Sequence, residues 1–219
     1  MPDDVYSRLL GSWDANADAW ARTIARGTES RRAGTDRAVL HATLEALAAA
    51  GPGSVLDVGC GEGWLVRALR ARDVRAEGVD GSAALARAAG GRHVRYRDAV
   101  AEPARLGGPH AVAVFSFALL DDRPHEILAA AASRLRAGGR VVVQTLHPLG
   151  VGAPYAPGWR EETFEGFGDA FAPMPWYFHT FESWSAALGR AGLVTERIAE
   201  PRHAETGAVL SLVLTVRQA

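Results

Sequence analysis

Lysine is absent from this 219-residue chain, and all 24 basic residues are arginine. This absence excludes pyridoxal enzymes, which need a Schiff-base lysine, and P-loop NTPases, which need a phosphate-binding lysine. The 24 arginines are balanced by 25 acidic residues, so the formal net charge is -1 and no overall field favours a polyanion. We therefore do not expect a nucleic acid as a partner.

Cysteine is nearly absent as well, because Cys60 is the single one. It excludes an intramolecular disulfide framework and a multi-cysteine metal site, and it suits a reducing compartment. Signal-peptide features are not evident, and no run approaches the roughly 18 apolar residues of a membrane span. We expect a cytoplasmic monomer or homodimer without membrane contact. No metal is expected, since the remaining histidines lack ligand spacing: His41, His93, His110, His125 and His203.

Hydrophobic residues make up 48% and charged residues 22% of the chain, which is ordinary for one globular domain. Apolar residues at helical spacing predict an amphipathic helix, or a pair of short ones, over residues 5–25, and a second helix is predicted over residues 36–50 after a polar break. We expect these N-terminal helices, within residues 1–50, to cap a single domain that spans residues 1–219.

From residue 54 onward, short apolar runs alternate with helical stretches, which predicts an α/β fold with a Rossmann-like, doubly wound parallel sheet. The predicted strands cover residues 54–59, 75–80, 93–98, 111–117, 140–147, 194–199 and 208–216. The predicted later helices cover residues 124–136 and 180–191, with Gly138 and Gly139 at the end of the first.

Residues 148–178 show no clear period, yet they carry 8 of the 17 aromatic residues, with five prolines and five glycines. A loop of this length inside a compact domain is usually a lid or a binding loop. We therefore interpret the segment as an insertion that covers a substrate. Its aromatic side chains predict a mostly apolar pocket for a small ligand such as an aromatic compound.

The strongest motif is Val55-Leu56-Asp57-Val58-Gly59-Cys60-Gly61-Glu62-Gly63, which joins a buried strand to a glycine-rich turn and then to a helix. Glycines let the backbone approach a ligand closely, and a helix N-terminus offers unpaired N–H groups. Asp80 closes the next strand 19 residues after Gly61, where a carboxylate can bind ribose hydroxyls. The pattern alone serves NAD about as well as another adenosine cofactor.

The motif resembles the E/DxGxGxG sequence of class I S-adenosylmethionine methyltransferases, in which an acid inside the strand precedes the glycines. Asp57 so placed would suit the ammonium group of a methionine tail and would repel a pyrophosphate. Four further segments match this family in order: Asp80, Asp98 with Ala99, Phe115 with Ser116, and the turn from Leu135 to Arg140. The resemblance implies a seven-stranded, mostly parallel sheet with an antiparallel last strand, and S-adenosylmethionine as cofactor.

By this resemblance, Asp80 holds the ribose, Asp98 at the end of the third strand binds the adenine amino group, and residues 115 and 116 line the methyl region. The predicted cofactor-binding residues are Asp57, Gly59, Cys60, Gly61, Asp80, Gly81, Asp98, Ala99, Phe115, Ser116, Trp13 and Trp20. Trp13 and Trp20 share a helix face, so simple packing is the alternative for them. Cys60 is expected to be a small packed residue and not a nucleophile.

A narrower likeness is to the UbiE/type-11 group of bacterial small-molecule methyltransferases, which carry His-Pro after the fifth strand and Tyr-Phe-His before the last helix. Here these segments are His147-Pro148 and residues 177–179, while Thr180 stands where that group has arginine. We predict His147 and His179 as candidate catalytic residues that contact or deprotonate the acceptor. A packed structural histidine is the alternative for each.

These patterns predict an enzyme that transfers the methyl group of S-adenosylmethionine to a small, aromatic or apolar acceptor. Two alternatives remain open. One is a cofactor-binding accessory protein without transferase activity, and the other is an NAD-linked oxidoreductase.

Overall fold

The computed structural model describes residues 3–26, 30–152, 154–165 and 170–219. Seven α-helices lie in this part of the chain: α1 (Asp3–Arg26), α2 (Ser30–Ala50), α3 (Trp64–Arg70), α4 (Ala83–Ala89), α5 (Tyr96–Ala101), α6 (Pro124–Ala132) and α7 (Phe181–Arg190). The strands are β1 (Val55–Val58), β2 (Ala76–Asp80), β3 (Arg92–His93), β4 (His110–Ser116), β5 (Leu135–Thr145), β6 (Gly158–Glu162), β7 (Met174–Phe178), β8 (Leu193–Ala199) and β9 (Leu212–Gln218).

Seven of these strands form one sheet in the order β3-β2-β1-β4-β5-β9-β8. The first five strands in this order are parallel, whereas β9 is antiparallel to both β5 and β8. The order reverses at β1, and ligands bind at the carboxyl edge of such a switch point in open α/β sheets. The predicted fold class, a Rossmann-like mostly parallel sheet with an antiparallel last strand, is confirmed.

Side chains alternate between two cores because successive strand residues point to opposite faces. Val55 and Val112 pack beneath α2 and α3, while Leu56 and Ala113 face α5, α6 and α7. Covering both faces with helices explains why β4 reads as a continuous apolar run. Because β1, β2, β4 and β5 are parallel, the loops that follow them lie along one edge of the sheet.

A third cluster lies above that edge, where Leu9 of α1 packs with Met174, Trp176 and Phe178 of β7. There β6 and β7 form a separate antiparallel pair, with Trp159 opposite Tyr177. Neither strand was predicted, because β6 has the polar sequence GWREE and Pro175 interrupts the apolar run of β7. Residues 153 and 166–169 of the predicted lid lie outside the described residues.

Several predicted boundaries differ from the structure. Helix α2 begins at Ser30 instead of residue 36, within the predicted polar break, and residues 27–29 of that break lie outside the described residues. Strand β3 ends at His93, so the prediction that residues 93–98 form a strand is wrong. The N–H of Val94 still donates to the Asp80 carbonyl of β2, and the chain then enters α5 at Tyr96.

Helix α6 ends at Ala132, four residues earlier than predicted, and β5 already begins at Leu135. The pairing of β5 with β4 shifts register between His110 and Val112. Gly138 and Gly139 therefore lie in an irregular part of β5 and not at a helix end. The last strand begins at Leu212 instead of residue 208. Among the described residues, no helix is long and apolar enough to cross a lipid bilayer.

Candidate active site

The glycine turn of residues 59–63 connects β1 to α3 at the switch point of the sheet. Gly59, Gly61 and Gly63 have φ values of 75°, 56° and 85°, which side-chain-bearing residues rarely adopt. The N–H groups of Gly59 and Cys60 donate to the carbonyl of Val79 at 2.8 Å and 3.0 Å. The turn is therefore fixed to β2 by its first two residues.

Gly59 also has no room for a side chain. A Cβ atom built on it would lie 2.5 Å from the Cβ of Ala118 and 2.9 Å from the hydroxyl oxygen of Tyr96. That hydroxyl donates to the Ala118 carbonyl at 3.1 Å, so Tyr96 joins the loop after β4 to the turn after β1. Tyr96 was not predicted as a site residue, because its contact depends on α5 replacing the expected strand.

Asp80 braces the turn from the neighbouring strand. One oxygen accepts from the N–H of Gly61 at 2.9 Å, and the other accepts from the N–H of Ser82 at 2.8 Å. Burial raises the pKa of Asp80 to about 6, although both hydrogen bonds oppose the shift. Asp80, the acid predicted to bind the ribose, therefore lies beside the glycine turn, with each of its oxygens held by a backbone N–H group.

Asp57 lies within β1 and is only 2% exposed. Its Oδ1 atom is buried and has no hydrogen-bond partner among the described residues. Burial first, and then the charges of Asp80 and Glu62, raise the pKa of Asp57 to about 8. Since a buried carboxylate without a donor or a cation is unfavourable, this site is suited to a ligand that carries a positive charge.

Cys60 is 4% exposed and packs in the core beneath α2 and α3. Burial, followed by the charges of Asp57 and Asp80, raises the pKa of its thiol. A thiolate is the reactive form of cysteine, and these surroundings disfavour it. The geometry agrees with the expectation that Cys60 is a small packed residue.

Helix α1 covers this edge of the sheet. The indole nitrogen of Trp20 lies 3.7 Å from the position that a Cβ on Gly61 would take. Leu10 of the same helix approaches the corresponding position of Gly81 at 3.1 Å. Trp13 stands edge-to-face against Trp20, with ring centroids 5.5 Å apart. The two predicted capping tryptophans therefore meet, and Trp20 is the one beside the glycine turn.

The remaining predicted cofactor residues have varied positions. Ala99 and Phe115 are 1% and 0% exposed and pack in the core. Ser116 donates to Oε1 of Gln144 at 3.0 Å. Asp98 lies exposed in the first turn of α5, so its expected position at the end of a strand is wrong. Two exposed residues are all that β3 contributes, too few to carry the chain as far as Asp98.

An aromatic-walled cavity of about 20 Å³, with room for little more than one water molecule, opens where β4 and β5 end. Phe117 turns the chain there with a φ of 52°, unusual for a residue with a side chain, and its N–H donates to the Gln144 carbonyl. We call this space the acceptor cavity; the residues that line it are Phe117, Leu119, Leu120, Thr145, Leu146, Trp176, Tyr177, Phe178, His179 and Trp184.

His179 lines the acceptor cavity, and both of its ring nitrogens have partners. Nε2 lies 2.9 Å from the backbone carbonyl of Asp121, so Nε2 carries the hydrogen. Nδ1 lies 3.2 Å from the hydroxyl oxygen of Ser183. Burial lowers the pKa of His179, which keeps the ring neutral near pH 7.

His147 is 4% exposed and is not among the residues that line the acceptor cavity. Its Nδ1 accepts from the N–H of Leu149 at 3.3 Å, so the hydrogen is on Nε2, which donates to Oε1 of Glu200 at 2.8 Å. The structure therefore separates the two predicted histidines: His179 is in the cavity wall, and His147 joins the loop after β5 to the end of β8.

The cap helix and the lid are fastened together by Asn16, which is 2% exposed. Its amide nitrogen donates to the carbonyl of Ala172 at 2.9 Å, and its side-chain oxygen accepts from the N–H of Ala172 at 2.7 Å. Ser12 adds a hydrogen bond to the carbonyl of Pro173.

Among the described residues, no three potential ligands cluster as a metal site.

A family model described as a methyltransferase domain matches residues 30–196. A search of curated proteins found no match. The narrower likeness to the UbiE/type-11 group stays a prediction.

Solved structures share the fold at low sequence identity. The 1,6-didemethyltoxoflavin-N1-methyltransferase of Burkholderia thailandensis, bound to its acceptor and S-adenosylhomocysteine, is 20% identical with a TM-score of 0.66, and the match covers 100% of this chain and 91% of that one. The magnesium protoporphyrin IX methyltransferase of Synechocystis PCC 6803 is 18% identical with a TM-score of 0.67, covering 99% and 100%. The sugar N-methyltransferase KedS8 of Streptoalloteichus sp. is 21% identical with a TM-score of 0.60, covering 92% of each chain.

The family match covers well over half of the chain. The sheet edge at Asp57 and the glycine turn of residues 59–63, which we call the cofactor edge, has the acid and the glycines of the motif. The chain belongs to the methyltransferase domain family and is an S-adenosylmethionine-dependent methyltransferase with the class I fold.

Proposed function

We propose that this enzyme methylates a small, aromatic or otherwise apolar molecule that binds at the acceptor cavity and moves its walls apart on entry. The observation that carries the proposal is the position of that cavity, which lies at the carboxyl ends of β4 and β5, on the same sheet edge as the glycine turn. Its wall is formed mainly by aromatic and aliphatic side chains. Such walls favour apolar ligands, with few polar groups to fix orientation.

The residues of the cofactor edge fit S-adenosylmethionine. Asp57, with its unpartnered buried oxygen, would hold the ammonium group, and Asp80 would hold the ribose. The backbone of residues 59–61 and Gly81 would pass beneath the ligand, while Trp20 would cover it. Asp98 would hold the adenine amino group from the first turn of α5, with Ala99 beside it, and residues 115 and 116 would border the methyl group. The same carboxylates disfavour the pyrophosphate of NAD.

When bound, S-adenosylmethionine supplies a methyl group that its positive sulfur has already activated. The chain's own task is then to orient the acceptor and exclude water. Helix α1 and residues 148–178, joined by Asn16, would do this as cap and lid of a single domain. A side chain that removes a proton is needed only where the acceptor atom is protonated and poorly acidic.

His179 is the better placed of the two histidines to act on the acceptor, since it lines the cavity. We assign Nδ1, the basic nitrogen of His179, to orienting a polar group of the acceptor. In the structure this nitrogen contacts the hydroxyl of Ser183. His147 directly precedes the lid and is paired with Glu200, so we assign it to holding the first residues of the lid in place.

The three structural neighbours named above act on small molecules according to their names, which supports a small-molecule acceptor here. The test is methyl transfer from labelled S-adenosylmethionine to a panel of small aromatic, quinone-like and amine compounds, with RNA and protein mixtures beside them. We expect label in small molecules. Label only in RNA or protein would refute the proposed acceptor class, and cofactor binding without any transfer would favour an accessory role.

A further inference from the structure

A second cavity, of about 180 Å³, borders the acceptor cavity across the loop that follows β4. Leu119 and Leu120 of this loop line the acceptor cavity, whereas Asp121 and Arg123 line the second one. A cavity of about 150 Å³ can hold a benzene ring, so this space has room for a small organic group. None of the roles assigned above uses it.

We call this space the tyrosine cavity, because two tyrosines from separate helices, Tyr6 of α1 and Tyr96 of α5, form part of its wall. Val100 and Ile127 add aliphatic surface. The hydroxyl oxygen of Tyr96 lies 2.9 Å from the position that a Cβ on Gly59 would take. The wall at Tyr96 therefore also borders the glycine turn of the cofactor edge.

Four charged residues line the tyrosine cavity, and three of them are paired or stacked. Nη1 of Arg123 lies 2.9 Å from Oε1 of Glu126, and the guanidinium of Arg97 lies 4.2 Å from the ring centroid of Tyr6. Asp121 differs from these three. Its Oδ1 atom accepts from the backbone N–H of Arg123 at 3.2 Å, and the described part of the chain supplies no ion-pair partner to its carboxylate.

The backbone of Asp121 faces the lid, since its carbonyl accepts from Nε2 of His179 at 2.9 Å. Its carboxylate lies on the side of the tyrosines, because its charge raises the pKa of both Tyr6 and Tyr96. Burial raises the pKa of Asp121 to about 6, so the group is still a carboxylate at pH 7. A partly buried carboxylate without a cation, beside aromatic rings, is suited to an organic ammonium ion.

We propose that the tyrosine cavity binds the ammonium group of an amine acceptor, with the carboxylate of Asp121 as its counter-charge and the rings of Tyr6 and Tyr96 against its carbon skeleton. The inference rests on the proposed function, because it names the class of acceptor for the same enzyme. An ammonium nitrogen has no lone pair to attack a methyl group. The cavity therefore holds one end of the acceptor, and another atom of the acceptor, such as a phenol oxygen, is methylated. Ala101 lines the cavity and is exposed, so a ligand can enter there from solvent.

Three phenols give a direct test, because they differ mainly in their terminal group. Tyramine carries an ammonium group, tyrosol a hydroxyl group and 4-hydroxyphenylacetate a carboxylate. Titration calorimetry at pH 7 measures the affinity of each for the full-length protein. We expect tyramine to bind roughly tenfold more tightly than tyrosol, as a hydrogen bond to a charged group would provide, and 4-hydroxyphenylacetate to bind most weakly.

Variants then assign the preference to Asp121. Asp121→Asn keeps an oxygen that can accept from the N–H of Arg123 but removes the charge, so tyramine should bind roughly tenfold more weakly while tyrosol is unchanged. Glu102→Gln, at an exposed acid that follows α5 and pairs with Arg105, is the control and should change neither affinity. Ala101→Trp fills the entrance and should weaken both ligands, which locates the site.

Equal binding of tyramine and tyrosol to the unaltered protein, or no binding of either, would overturn the inference. Equal weakening of both ligands by Asp121→Asn, or unchanged binding in Ala101→Trp, would overturn it as well. If Asp121→Asn fails to fold, the three ligands and Ala101→Trp still decide.

S-adenosylhomocysteine titrated into the same samples separates this inference from the proposed function. Binding of S-adenosylhomocysteine without a preference for tyramine would reject the ammonium site alone. Binding of tyramine without S-adenosylhomocysteine would reject the cofactor site and leave the ammonium site standing.

Discussion

The cofactor edge and the acceptor side of this enzyme are built in opposite ways. Residues 55–63 lie within one strand and turn, which the next strand holds through the carbonyl of Val79 and the carboxylate of Asp80. The acceptor cavity takes side chains from the loops after β4 and β5, from β7 and from α7. One half is therefore encoded locally, whereas the other half exists only once distant segments have packed. We expect mutations in the two halves to have separable effects.

Gly59 provides the most severe way to break the local half. Gly59→Ala must adopt a φ of 75° and also place its Cβ 2.5 Å from Ala118. We expect a loss of about 3 kcal/mol or more in the free energy of unfolding, together with loss of cofactor binding.

The matched control for this variant is Gly138→Ala, where φ is 74° but nothing lies within 4 Å of the new Cβ. It should lose only the conformational part, about 1 kcal/mol. Equal losses in urea denaturation would show that close packing at Gly59 contributes nothing.

The buried carboxyl group of Asp57, at the cofactor edge, should make the free energy of unfolding depend on pH. Because its pKa rises from 3.8 to about 8 on folding, the folded state binds a proton more tightly than the unfolded state between these values. The associated stability is present below pH 4 and is lost as the pH rises through 8. Relative to Asp57→Asn, the unliganded protein should lose roughly 1 to 3 kcal/mol between pH 5 and 8.

Urea denaturation of both proteins at several pH values measures this difference. Parallel curves for Asp57→Asn and the unaltered protein would show that the carboxyl group is not buried as described.

Asn16 tests the acceptor half, because its amide joins the cap to the lid. Asn16→Ala leaves the N–H and the carbonyl of Ala172 unpaired, which should cost roughly 1 to 2 kcal/mol in the free energy of unfolding. Limited proteolysis should then cut within residues 148–178 sooner. Ser12→Ala, which removes one more exposed bond, is the control with a smaller effect. Unchanged cleavage in Asn16→Ala would show that the contact of Asn16 with Ala172 does not hold the lid in place.

Arg160 gives the smallest expected effect. Its guanidinium lies 3.9 Å from the ring centroid of Phe178 and donates to the carbonyls of Val151 and Pro154. Arg160→Met should cost about 1 kcal/mol in stability, with S-adenosylhomocysteine affinity unchanged. Arg87→Met, at an exposed residue of α4, is the control. Weaker cofactor binding in Arg160→Met would show that the two halves are coupled.

The difference between the halves also explains what the sequence could predict. The strand, the glycine turn and Asp80 were identified because their contacts join residues near one another in the chain. The fold class followed from the alternation of apolar runs with helical stretches.

The acceptor side could not be predicted in this way. Strand β6 is polar and β7 contains Pro175, and the apolar side chains of β7 pack against Leu9 of α1, which lies far away in the sequence. Asp98 was placed in a strand that the structure ends at His93. The roles of His147 and His179 depend on hydrogen bonds to Glu200 and to the carbonyl of Asp121, which no local pattern contains.

The most direct test of the central claim is a thermal shift of the unaltered protein with S-adenosylhomocysteine and, separately, with NAD. A ligand that binds only the folded state raises the melting temperature. We expect a saturable increase with S-adenosylhomocysteine, its loss in folded Asp80→Ala, and no increase with NAD. An increase with NAD alone, or an unchanged increase in Asp80→Ala, would contradict the cofactor site described here.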